Sequence, residues 1–86
     1  MNRMPRLQPS LDEMRDRESR AVMADGQAWK AYNDEEMGKF LAITRPTYQK
    51  RRRQPDTFTM REFRAMVRVL GLSDEEIVRF IRGKRK

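Results

Sequence analysis

Thirteen Lys and Arg side chains fall between positions 44 and 86, and four of them are consecutive: Lys50, Arg51, Arg52 and Arg53. Only five acids share that stretch, leaving it at +8, whereas residues 1–43 hold seven basic and eight acidic side chains and sum to −1. Arginine dominates the basic half, and its planar fork of donors suits phosphate oxygens and guanine edges better than the point charge of lysine. The chemistry on offer is polyanion binding, and the run at 50–53 is read as a phosphate contact rather than a solvated charge run or a localisation signal. Catalysis has no comparable set. The chain contains no histidine and no cysteine, which removes the commonest general base and metal ligand at neutral pH and all thiolate chemistry. Tyr48 could be mistaken for a recombinase-type nucleophile, yet helical spacing puts it on the inward side of its helix. The acid groups Asp34-Glu35-Glu36 and Asp74-Glu75-Glu76 each follow a capping residue, so helix-start electrostatics accounts for them better than paired-carboxylate chemistry. No catalytic residue, metal site or cofactor is expected.

The elements that must position those cations are helical. The 86 residues, 37% hydrophobic and 38% charged, suit one small domain with a lean core and no room for a large cleft. The longest apolar runs are a few residues, which precludes a transmembrane helix, and the first residues lack the apolar core of a signal peptide, so a cytoplasmic setting is expected. Residues 1–10 carry two prolines and no periodicity, and are expected to form a flexible basic arm with Arg3 and Arg6. Ser10 and Glu13 make a capping-box pattern for a helix from Leu11. An apolar stripe of Leu11, Met14, Ala21, Val22, Ala28, Trp29 and Tyr32 follows, as one long helix or two shorter ones. Asn33 caps a short helix at about 34–41 that buries Met37, Phe40 and Leu41, with Gly38 allowing close approach of another helix. Ala42 and Ile43 make a tight connection. Thr44 caps the next helix, which has Pro46 in its first turn and runs to about Arg53. Gln54, Pro55 and Asp56 end it. Thr59 and Glu62 cap a helix with Phe63, Met66, Val67 and Leu70 on its apolar face, closed by Gly71. Ser73 caps a last helix bearing Ile77, Phe80 and Ile81, closed by Gly83 and followed by the basic tail 84–86. Helical spacing also assigns most of the seven methionines, Met37, Met60 and Met66 among them, and Trp29 to core filling rather than to an adaptable groove. The expected fold is all-α, a compact bundle of about five helices over residues 11–83.

Residues 33–53 read as two short helices around a connection too tight for antiparallel packing, a helix-turn-helix. The segments Asn33-Asp34-Glu35-Glu36, Met37-Gly38, Leu41-Ala42-Ile43-Thr44 and Arg45-Pro46-Thr47-Tyr48-Gln49-Lys50-Arg51 fall in register. Together they resemble the lambda-repressor-like (Xre/Cro) DNA-binding family over roughly residues 19–82, and the helices from 58 and 73 look like that family's fourth and fifth. Three positions depart from it. Ala42 stands where the family commonly has Gly, Gly38 where it has Ala, and Asp34 where many members have a phosphate-contacting Gln, a role a carboxylate cannot fill because it does not donate. The resemblance implies that helix 44–53 lies in the major groove of double-stranded DNA, with Arg45, Thr47, Gln49 and Lys50 toward base edges. Thr44, Arg51, Arg52 and Arg53 would contact phosphates, with Arg3 and Arg6 following the DNA beyond. One such helix reads few base pairs, so a homodimer is expected, and Ile77, Phe80 and Ile81 are its expected interface. The function implied is sequence-specific transcriptional regulation of phage, plasmid or mobile-element type, nucleoid-associated when bound. A protein-interaction adaptor of antiactivator or antitoxin type, supported by Asp34 and the acidic start of its helix, and an RNA-binding module are the alternatives.

Overall fold

The computed structural model describes residues 10–83. The arm with Arg3 and Arg6 and the tail 84–86 lie outside the described residues. Five α-helices, α1 (Leu11–Lys30), α2 (Asp34–Leu41), α3 (Arg45–Arg53), α4 (Met60–Leu70) and α5 (Asp74–Arg82), make up the all-α fold, with a single 3-10 turn, Pro55–Thr57, between α3 and α4. Among the described residues there is no strand, and no helix is long and apolar enough to cross a membrane.

Each start has a local cause. Ser10, Asn33, Thr59 and Ser73 accept from the backbone N–H three residues on, and Glu13, Glu36, Glu62 and Glu76 accept from the cap's own N–H, closing four reciprocal boxes. Thr44 caps α3 with its hydroxyl alone, accepting from the Thr47 N–H at 3.3 Å. Such caps stabilise a helix by about 1 kcal/mol each. Three helices end on a residue in the left-handed region: Ala31 at φ 61°, Ala42 at φ 61° and Gly71 at φ 64°. That conformation is free for glycine but costs an alanine roughly 1–2 kcal/mol. At Ala42 it turns the chain within the three residues between α2 and α3. Gly38 makes the turn possible, since a Cβ there would stand 2.8 Å from the Ile43 carbonyl oxygen. The Ile43 N–H donates back to the Gly38 carbonyl at 2.8 Å.

The core consists of Val22, Met23, Met37, Leu41, Tyr48, Met66, Leu70 and Phe80. Met23, Met37 and Met66 are wholly buried, which suits an unbranched side chain that fills irregular gaps between helices crossing at different angles. α5 runs back along α1: the Ser19 hydroxyl, on α1, reaches the Phe80 carbonyl at 2.7 Å, and Gly83 lies against Arg15.

α1 is one helix, and of the expected apolar stripe along it only Val22 lies on the fully buried face. Ser19, Val22, Met23 and Gln27 face the core, while Leu11 is 79% and Trp29 86% exposed. Two polar residues go inside because each finds partners there, which offsets their desolvation. Phe40, expected in the core, is 44% exposed and packs edge-on against Tyr32 with ring centres 4.9 Å apart. Met60 also stands in solvent.

Candidate nucleic-acid interface

The segment RPTYQKRRR of α3 contains no acid, so the helix contributes only positive charge to the surface on which it lies. Its single fully buried side chain is Tyr48, the inward residue expected from spacing, which pins the helix to the core. The Tyr48 hydroxyl donates to Gln27 Oε1 on α1, and burial pushes that phenol far above its ordinary value of 10.0. Tyr48 is therefore a neutral packing residue.

From Gln27 a polar network runs outward. Gln27 Nε2 donates to the Tyr32 carbonyl at 3.1 Å and to Asp34 Oδ1 at 3.2 Å. Asp34, the first residue of α2, also accepts from Gln49 Nε2 at 3.1 Å and from Arg52 Nη1 at 2.9 Å. Partial burial alone would raise its carboxyl, but the bonds from Gln49 and Gln27 and the charge and hydrogen bond of Arg52 outweigh it and hold it below the ordinary 3.8. A carboxylate thus occupies the start of α2 and draws two α3 side chains onto itself.

Arg51 is likewise committed. Its Nε and Nη2 meet Glu62 Oε1 and Oε2 at 2.9 and 3.4 Å. Glu62 is only 4% exposed and also accepts from the Thr59 N–H at 3.0 Å. Burial pushes the Glu62 carboxyl up, yet the Arg51 and Thr59 bonds bring it below 4.5. The residue that closes the capping box of α4 therefore also anchors α3, a double use that the Thr59-to-Glu62 spacing could not reveal.

The site residues expected from the sequence divide accordingly. Arg45, Lys50 and Arg53 are exposed and, among the described residues, are in no ion pair. Thr47 is half-buried, and its hydroxyl accepts from the Thr44 hydroxyl at 2.9 Å within the cap. Gln49 and Arg52 are bound to Asp34. Arg51, expected as a phosphate contact, is held within the fold by the nearly buried Glu62. Arg20 was not expected at the site; its Nη1 donates to the Arg53 carbonyl at 3.5 Å. With Asp34, Gln49, Arg52 and Arg53 it lines a cleft of about 340 Å³ at the C-terminal end of α3. Its cationic head adds to that edge from a helix whose sequence neighbourhood is net neutral, so no local signal marked it.

Phe80, expected at an exposed interface on α5, is 7% exposed and packs with Phe63 and Phe58 at ring-centre distances of 4.9 and 6.1 Å. Tertiary contact claims it because it is the bulkiest apolar residue on the side of α5 that meets α1 and α4. Ile81 is 53% and Val78 38% exposed, and Ile77 is half-buried. Comparison of the chain with models of known families, with curated proteins and with solved structures gives no match.

Proposed function

We propose that the protein binds double-stranded DNA sequence-specifically, with α2 and α3 acting as a helix-turn-helix and α3 as its recognition helix. The observation that carries the proposal is the solvent side of α3, where Arg45, Lys50 and Arg53 are exposed, with Thr47 and Gln49 half-buried beside them and no acid on the helix. With its side chains an α-helix is about 10–12 Å across, which suits a major groove about 12 Å wide. Arg45 and Lys50 supply the bidentate or single donors that guanine O6 and N7 accept, and the Thr47 methyl suits thymine. Gln49 can pair with adenine only when its amide is released from Asp34. Phosphate neutralisation falls to Arg53, Lys50 and Arg20, with Arg52 joining if the phosphate displaces Asp34.

Specificity of useful strength comes from two copies whose recognition helices lie one turn of DNA apart. The surface proposed for pairing is α5, through Ile81 and Ile77 rather than Phe80. The role is a small transcriptional regulator working by occupancy in the cytoplasm. Selection from a random duplex library at near-physiological salt is the test. An enriched motif, as an inverted repeat with half-sites about ten base pairs apart for a dimer, is the expected result; binding without enrichment, or none, overturns the proposal.

A further inference from the structure

α1 has two working sides. Arg20 and Gln27 face α3, whereas Glu18, Asp25 and Trp29 line two clefts formed with α5 and with the turn that leads into it. The larger cleft, about 740 Å³, brings Glu18 together with Asp74, Glu75 and Val78. The smaller, about 340 Å³, brings Asp25 and Trp29 together with Leu70 and Leu72. Glu76 lines both, so they form one groove along the α1–α5 seam. Helix-start electrostatics explains Asp74, Glu75 and Glu76, but not Glu18 and Asp25, which lie in the body of α1. Nor does it explain Trp29, the only tryptophan in the chain, left 86% exposed. Large aromatic residues are strong contributors when an interface covers them.

The charge of the groove selects its occupant. Five carboxylates surround it in a chain whose net charge is +7. Among the described lining residues the one cation, Arg79, is neutralised by Glu18 at 2.6 Å, and the Lys30 head reaches the edge at Gly71. Nucleic acid and acidic surfaces are repelled there. We propose that this groove docks a basic amphipathic helix of a partner protein, apolar side on Trp29, Val78 and Leu72, with Lys or Arg toward Asp25, Glu75 and Asp74. Glu18 and Trp29 are eleven residues apart on one helix, about 17 Å, so a partner helix of about 14 residues, about 21 Å, spans the groove. α3 stays free, and one chain can hold DNA and the partner together.

Because Trp29 is the sole tryptophan, its emission reports this site alone. The probe is a capped Leu/Lys amphipathic helix of about 14 residues, with a Leu/Glu helix of the same pattern as control. The expected result is a saturable blue shift that weakens with salt and is absent with the Leu/Glu peptide. In Asp25→Lys/Glu75→Lys, two exposed positions whose replacement leaves the helical circular dichroism intact, affinity falls about tenfold. No shift with the Leu/Lys peptide, equal binding of both peptides, or undiminished affinity in the double variant overturns the proposal. A concentration-dependent shift of the protein alone assigns the groove to a second copy of the chain and overturns it too. None of these readouts depends on DNA binding, so failure of the groove and failure of the recognition helix are separable.

Discussion

Arg51→Ala removes both guanidinium contacts from Glu62 and leaves the carboxylate with Thr59 alone. Stripping the partner from a fully buried pair costs about 3–5 kcal/mol, whereas exposed pairs contribute at most about 1 kcal/mol. Glu62 is buried but a fifth of the Arg51 side chain is in solvent, so water reaches the vacated space and the cost falls to about 2–3 kcal/mol. For a domain of this size that lowers Tm by about 10–20 °C. Arg53→Ala is the control, because an exposed side chain that is in no ion pair among the described residues changes stability by no more than about 0.5 kcal/mol. The pH dependence has a definite sign. Glu62 is held below its ordinary 4.5 in the folded chain, so its stabilisation is present above that value and is lost as pH falls through the folded one. The gap between wild type and Arg51→Ala is therefore widest near neutral pH and closes in acid. Thermal unfolding followed by circular dichroism at pH 7 and at pH 3 measures it, alongside the salt dependence of DNA binding. An Arg51→Ala protein that melts within about 2 °C of wild type at pH 7, and whose salt slope falls as in Arg53→Ala, would refute the assignment and return Arg51 to the phosphate contacts.

Ala42→Gly relieves the left-handed strain at an exposed position and should stabilise the fold by about 0.5–1 kcal/mol after the greater freedom of the unfolded chain is counted. Gly38→Ala, with its Cβ 2.8 Å from a backbone carbonyl, should cost about 1–3 kcal/mol, and urea unfolding of the two variants gives opposite signs. Arg45→Ala is expected to relax preference at one base position at a cost of about 1–3 kcal/mol, whereas Arg53→Ala weakens all sequences alike and reduces the salt slope by about 0.9; competition binding at several salt concentrations separates the two. Phe80→Asp should unfold the protein because that ring is in the core, while Ile81→Asp keeps the melting transition and, by sedimentation, yields monomers where wild type pairs.

The parts of this protein that could be read from its sequence are those decided by neighbours three or four residues apart. Ser10, Asn33, Thr44, Thr59 and Ser73 cap the helices expected of them, the chain turns tightly at Ala42, and Tyr48 goes inward, because capping and helical period are short-range and each residue carries its own signal. Which cations remain available was not of that kind. The sum of charges on α3 is the same whether Arg51 faces water or Glu62, eleven residues away, and whether Arg52 is free or held by Asp34, eighteen residues away. Only the packing of α2 against α3 and α4 brings those carboxylates within reach. The same holds on α1, where hydropathy favoured Leu11 and Trp29 for burial. The core accepted Ser19 and Gln27 instead, since the Phe80 carbonyl and the Tyr48 hydroxyl, 61 and 21 residues away, satisfy their polar atoms. The sequence set the helices, their ends and the sign of the surface. Tertiary contact decided which side of each helix is inside and which charges are left unpaired, because burial and ion pairing depend on partners that the chain supplies only after it has folded.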